Sequence, residues 1–438
     1  MLKGFDYSYF LLIIPILRMN WAVLQYRYPA SIVIPFILLW FFCVFLRQDR
    51  KLIPFVQLNG YYRLTIFAVV LYILLPLFYG IFDPNNRLSF RLIGAIGRFL
   101  EFFTMFSIVH ITLITGKIRE LKFCTLLCLF TVFWNGLAVL RGGSQLASSG
   151  GGARLITAIN QQAQKSGAYY QDVDMALSLG VGNAESVYVS AFLFPLLIFS
   201  CFNIKGWLKK SILVVLAFCS YLNLKYSGLN TPIMIAIVGC VLTLLVKFKK
   251  RALLLWVGAA FALFMVAFSF NPKIMSFMAT PLTLIADATE DLPYIHERCV
   301  SMIEAVGGTK DTYAAQRYEL QQISARQFVS GNILFGVLFS DDKRRGGGHS
   351  EFLDALATYG LVGAFVICLF WYAFVRYSRR LADVSLGVRW LYMSYIYAGA
   401  WFFSSIVNPA VLGSPVIILL IPGLAVYYNE FEERWGLK

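Results

Sequence analysis

Ser186–Arg251 reads SVYVSAFLFPLLIFSCFNIKGWLKKSILVVLAFCSYLNLKYSGLNTPIMIAIVGCVLTLLVKFKKR. Three apolar runs, 186–202, 211–226 and 230–246, follow one another with short breaks. A helix rises about 1.5 Å per residue and the hydrocarbon layer is roughly 30 Å thick, so each run is close to a membrane-crossing length. The breaks differ in charge. Lys205, Lys209 and Lys210 lie in the first, 227–230 carries no basic residue, and Lys247, Lys249, Lys250 and Arg251 close the stretch. Lys and Arg collect in cytoplasmic loops, so this pattern predicts helices that run in, out and in again.

The same alternation extends outward. Further spans are expected near 7–24, 30–46, 64–82, 92–115, 121–140, 252–270, 352–375, 389–407 and 410–428, about twelve in all by the length criterion. With both ends inside, the internal loops hold Arg47/Arg50/Lys51/Arg63, Lys117/Arg119/Lys122 and Arg376/Arg379/Arg380/Arg389. Composition agrees: 59% of residues are apolar and only 14% charged, against roughly 25% charged in soluble domains. The net charge of +15 therefore reads as loop charge, and no nucleic-acid partner is expected. The predicted fold class is all-α, a polytopic integral membrane protein. Residues 1–270 would hold spans one to nine with an external loop near 141–185, 271–350 a long external loop, and 351–438 the last three spans.

The loops divide by composition. Residues 141–152, RGGSQLASSGGG, read as a flexible Gly/Ser tract, and 311–330 as a helix ending at Gly331-Asn332. A loop of about 80 residues is longer than a connector needs to be. Met1–Asp6 lead into an apolar stretch without a small-residue cleavage site, so no cleavable signal peptide is expected. Cys43, Cys124, Cys128, Cys201, Cys219, Cys240 and Cys368 lie in or beside apolar runs and Cys299 in a polar region, which reads as packing thiols. There is no Walker A sequence and no His-Glu-x-x-His pattern. Neither a metal nor another cofactor is expected.

Gly346–Gly363, GGGHSEFLDALATYGLVG, is the stretch richest in chemistry. Ser350 suits an N-cap, which would set His349 where orphan amides and the positive end of a helix dipole favour an anion. Gly360 and Gly363 would let a neighbouring helix approach. The stretch resembles the signature of the O-antigen polymerase and ligase family: His349-Ser350, then a leucine-rich helix closing on Tyr359-Gly360-Leu361-Val362-Gly363. Upstream, Arg317-Tyr318-Glu319 and Gly331-Asn332-Ile333-Leu334-Phe335-Gly336 resemble that family's Arg-led amphipathic helix and its apolar-Gly ending. Many members carry Ser-Arg at a mid-chain helix start. Here the region reads Lys225-Tyr226-Ser227-Gly228, where Lys225 replaces the charge without the bidentate fork.

The resemblance implies a GT-C-like, metal-independent glycosyltransferase of the bacterial inner membrane, its active site facing the periplasm. It would join undecaprenyl-pyrophosphate-linked oligosaccharides, donor to acceptor, with a chain-length regulator as a further partner. Arg317 would hold the pyrophosphate and His349 would act as general base. Arg141, Arg154, Arg326, Arg345 and Lys225 are the further cations for phosphate or glycan. Each has a plainer reading as a solvated or paired surface residue. The long loop holds eight Lys/Arg against nine Asp/Glu, so steering of the donor would have to be local. Arg98 and Glu101 would share a helix face and could pair, His110 reads as a packed bundle histidine, and His296 as surface. Two alternatives stay open: a ligase passing glycan to a lipid A core, and a transporter of the same lipid-linked sugar. A transporter would place its binding groups near the membrane midplane, on related halves.

Overall fold

The computed structural model describes residues 5–21, 23–24, 28, 30–47, 60–81, 88–148, 184–204, 206–227, 230–247, 313–337, 350–381, 387–407 and 416–426, with isolated positions between 280 and 304. After a 3₁₀ turn at Tyr7–Leu12 come α1 (Ile13–Asn20), α2 (Val33–Arg47), α3 (Gly60–Ile81), α4 (Leu88–Ile114), α5 (Ile118–Ser148) and α6 (Ala184–Asn203). Then follow α7 (Trp207–Lys225), α8 (Asn230–Lys247), α9 (Tyr313–Ser330), α10 (Glu351–Leu381), α11 (Gly387–Val407) and α12 (Val416–Val426). No strand forms among the described residues; one isolated bridge pairs Asn332 with Gly336.

Segments within α5, α6, α7 and α10 are long and apolar enough to cross a membrane: Ile118–Arg141, Ser186–Asn203, Trp207–Lys225 and Glu351–Arg380. Eleven of the predicted spans overlap a described helix; the first is split between the 3₁₀ turn and α1, and of 410–428 only Val416–Val426 is described. The remaining one, 252–270, lies outside the described residues, as do 149–183 and most of 271–312.

Large apolar side chains line the outside of the bundle around an apolar core that also buries polar ones. Leu38, Phe42, Phe67, Leu126, Ile212, Phe218, Val241 and Phe365 are exposed, while Thr65, Ser107, Thr131, Asn135, Ser190, Asn223 and Thr243 are buried. Many buried hydroxyls bond within their own helices, as Thr65 Oγ1 donates to Tyr61 O and Ser200 Oγ to Leu196 O, each at 2.7 Å, while Ser220, Ser394 and Ser404 are buried with no partner among the described residues. Buried amides cross between helices. Asn20 Nδ2 bonds Cys128 O at 3.1 Å, Asn135 Nδ2 bonds Asn20 O at 2.9 Å, and Asn223 Nδ2 bonds Ser190 Oγ at 2.9 Å. Apolar side chains on the outside, with polar ones kept inside among an apolar core, is the arrangement that a lipid solvent selects.

Helix α12 is buried along its whole length and packs against α4, α5, α6 and α11. Small residues permit the close crossings: a Cβ on Gly423 would strike Thr125, and one on Gly136 would strike Cys219. At one rim, Gly116 (φ 68°) ends α4 and Lys117 N bonds Thr112 O at 2.9 Å, a glycine-ended helix terminus. The start of the chain is fastened there. Asp6 N bonds Glu120 Oε1 at 2.8 Å and Asp6 Oδ2 pairs with Lys117 Nζ at 2.5 Å.

Two expectations change. The tract 141–152 is not loop from its start, because α5 continues through Ser148. Two glycines cost about 1 kcal/mol each, too little to stop a helix already nucleated over many turns. His296 is not free surface either: it is partly buried, with Nδ1 2.9 Å from Ala286 O. His110 is the packed histidine expected, stacked on Tyr62 with centroids 4.1 Å apart and its Nδ1 2.9 Å from the Tyr377 hydroxyl. Glu101 is partly buried and engaged in contacts, and the Arg98 side chain lies outside the described residues.

Candidate functional site

The signature segments meet at the N-terminal end of α10. Ser350 is its N-cap: Oγ accepts from Leu353 N at 3.3 Å, and Ser350 N donates to Asp354 Oδ2 at 3.2 Å. This reciprocal pair works as a capping box does, with the acid one residue later than usual. The other oxygen of Asp354 accepts from Ser324 Oγ at 2.6 Å and so fastens α9 to α10. Glu351 accepts from the Tyr72 hydroxyl of α3. The first turn of α10 is thus held from two sides by carboxylates on its own opening residues.

Nine residues on, the helix breaks. Gly360 takes φ 62° and ψ −152°, a region essentially reserved for glycine. The break frees two amides, and the turn after α9 takes them: Leu361 N bonds Ile333 O at 2.8 Å and Val362 N bonds Leu334 O at 3.3 Å. The turn is itself tight, with Asn332 N to Gly336 O at 3.2 Å and Gly336 N to Asn332 O at 2.6 Å. Asn332 Oδ1 caps both Leu334 N and Phe335 N at 3.0 Å. A Cβ on Gly336 would lie 2.5 Å from Thr358 C and O, and one on Gly360 would lie 2.5 Å from Leu334 C and O. Two glycines that are 24 residues apart in sequence therefore make one backbone-to-backbone contact. Tyr79, near the end of α3, closes it by donating to Phe335 O at 2.9 Å and Tyr359 O at 3.3 Å.

The expected helix-to-helix role for Gly360 and Gly363 is corrected here. Gly360 admits the turn 331–337, and a Cβ on Gly363 would meet Tyr359 and Ala355 O of its own helix across the break. A broken helix brings its two halves together, so small residues are needed inside it as well as between helices.

No family model and no curated protein matches this chain.

The candidate residues distribute as follows. Arg317 lies on α9 four residues before Gln321 and seven before Ser324, so at 3.6 residues per turn its position shares the face that packs on α10. Its side chain lies outside the described residues, as do His349, Arg154 and Arg345. The residue after His349 is the buried cap Ser350. Arg326, two residues from Ser324, sits on the opposite, exposed side and bonds Gln322 at 3.3 Å. Lys225 ends α7, exposed, with Nζ 5.4 Å from the Tyr226 ring centroid. Arg141 is exposed on α5, five residues beyond Gly136, which meets Cys219 of α7. The structure joins the helix of Arg317 to the cap that follows His349, through Ser324 and Asp354.

Sequence reasoning passed over Tyr72, Tyr79 and Asp354, and it read Asn332 as a helix stop without its capping of Leu334 N and Phe335 N. For Asp354 a signal existed, since an acid four residues after Ser350 fits a cap. The two tyrosines lie in an unbroken apolar run and carry no local mark. Among the described residues, no group of three His, Cys, Asp or Glu side chains is arranged to hold a metal ion.

Proposed function

We propose that this protein is a glycosyltransferase that polymerises undecaprenyl-pyrophosphate-linked oligosaccharides, O-antigen or capsule type, at the periplasmic face of the inner membrane. The observation that carries this reading is the union of the two signature segments. Gly331–Gly336 and Tyr359–Val362 are locked backbone to backbone, and Ser324–Asp354 seats the Arg317 helix on the capped start of α10. The described parts of a motif split across 47 residues, from Arg317 to Gly363, thereby meet in one structural unit. In this reading the chain crosses the membrane about twelve times, with both ends in the cytoplasm and the loops 141–185 and 271–350 outside.

The chemistry follows from the residue types. His349 takes the proton from the acceptor hydroxyl, since imidazole titrates near neutrality. The acceptor oxygen then bonds to the anomeric carbon of the donor sugar, and the bond from that carbon to the pyrophosphate oxygen breaks. The electron pair leaves with the pyrophosphate, whose growing charge a planar Arg317 guanidinium can hold bidentately. Lys225, Arg141, Arg154, Arg326 and Arg345 are offered as contacts for phosphate or glycan. The test is purified protein in liposomes with a lipid-pyrophosphate oligosaccharide, without metal or nucleotide, read by thin-layer chromatography. A ladder of multiples supports polymerisation. Transfer only to an added lipid A core would assign a ligase, and movement of intact donor across the bilayer a transporter.

A further inference from the structure

We infer that the turn Asn332–Gly336 is a hairpin sunk in the lipid, its tip resting in acyl chains of the leaflet that surrounds the N-terminal third of α10. The inference is independent of the proposed chemistry.

Its first support is the backbone. Irregular chain survives at membrane depth only where its polar groups are satisfied without water. Here every carbonyl from Asn332 to Gly336 has a donor: Gly336 N, Leu361 N, Val362 N, the Tyr79 hydroxyl and Asn332 N in turn. The amides of Asn332, Leu334, Phe335 and Gly336 all have acceptors, two of them on the Asn332 side chain. A loop surrounded by water has no need to pair all five of its carbonyls within the protein.

The second support is the side chains. Ile333 and Leu334 are each 55% exposed and Phe335 38%. Beside them Val329 of α9 is 65% exposed and Phe365 of α10 64%, with Leu361 between at 45%. In water this would be a costly continuous apolar surface. On α9 the polar Gln321, Ser324 and Gln327 are buried while Ile323 and Val329 are exposed, on a face that also carries Glu319, Arg326 and Ser330.

The third is depth. Leu361 stands 15 residues before Arg376 on α10, which is about 22 Å along the helix, well inside a hydrocarbon layer of roughly 30 Å that begins at the arginine-rich end. Leu361 and Phe365 on a membrane-crossing helix face lipid, and Ile333 and Leu334 are hydrogen-bonded directly to that level. The occupant is therefore bulk phospholipid tail, continuous with the lipid that coats the helix.

The test uses the unmodified protein. Reconstitute it with phosphatidylcholine bearing a diazirine midway along one acyl chain, irradiate, digest and locate the adducts by mass spectrometry. Adducts on Ile333–Phe335 together with Leu361–Phe365 are expected. Adducts on Leu361–Phe365 with none on the turn would overturn the inference by placing the turn in water. Adducts on neither segment would overturn it by showing that another protein surface covers this face.

Discussion

Gly360 carries two constraints that no other residue satisfies together. Its φ and ψ exclude a side chain, and the Leu334 carbonyl occupies the space where a Cβ would go. Gly360→Ala should cost roughly 2–5 kcal/mol from backbone strain and forced separation. The melting temperature of the purified variant should fall by several degrees. Gly60→Ala, where nothing lies within 4 Å, should melt as the parent does. If both variants melt alike, the backbone contact with the turn contributes nothing. Arg317 makes a different claim, about geometry more than charge. Arg317→Lys keeps the charge and loses the fork, so its rate of glycan transfer should fall on the order of 10²-fold, nearly as far as that of Arg317→Ala. A Lys variant with parental turnover would reduce Arg317 to a point charge. His349 was legible as a candidate because a Gly tract and a capping Ser bracket it, and Gly360 because it closed a recognisable motif. What each glycine touches was not legible. A glycine that admits a loop and one that admits a helix look the same in sequence.

Elements are fixed at their ends by carboxylates, at Asp354 on α10 and at Asp6 before α1. Burial raises the Asp6 pKa, but the bonds from Lys117 and Ser8 outweigh it and hold the carboxyl below its ordinary 3.8. A carboxyl lowered in the folded state contributes its stability above the unfolded pKa and loses it as pH falls through the folded one. The tie between the N-terminus and the α4–α5 turn should therefore be whole at neutral pH and weaken below pH 3.8. Asp6→Asn should lower stability at pH 7 by about 1–3 kcal/mol, the worth of hydrogen bonds to a charged group. The gap between variant and parent should narrow in acid, which melting curves from pH 7 down to about 3 would follow. A gap that stays constant would mean that Lys117 gains nothing from the charge. Hydropathy forecast the apolar helices, since apolar runs of that length have one stable form in lipid, and the Gly331-Asn332 stop forecast the end of α9 at Ser330. The forecast stopped short at 141–148, where propensity pointed to loop and an established helix simply continued.

At the scale of the whole molecule, the charge pattern and the burial pattern are separate witnesses to a lipid solvent. One is read from Lys and Arg in short loops, the other from exposed leucines around buried threonines and asparagines. The proposed orientation is open to thiol labelling. Cys299 is a poor reporter, because it is buried and burial pushes its thiol pKa up. Glu319 and Arg379 are both exposed. In cells with a permeable outer membrane, Glu319→Cys should react with a membrane-impermeant maleimide and Arg379→Cys should not. The reverse pattern would invert the topology. How α3, α9 and α10 converge could not have been read from sequence. The bonds that join them, Tyr72 to Glu351, Tyr79 to Phe335 and Ser324 to Asp354, link residues as far as 279 positions apart. The central claim is that this assembly polymerises lipid-linked glycan with His349 as its base. Its most direct measurement is single-turnover transfer from a lipid-pyrophosphate oligosaccharide by folded parent protein and by His349→Gln. Glutamine can keep a hydrogen bond to the acceptor but cannot take its proton. The parent should build the ladder and the variant should fall short by about 10²–10⁴-fold, the range of general-base catalysis. A glutamine variant that polymerises at the parental rate, or a parent that forms no ladder, would contradict the account.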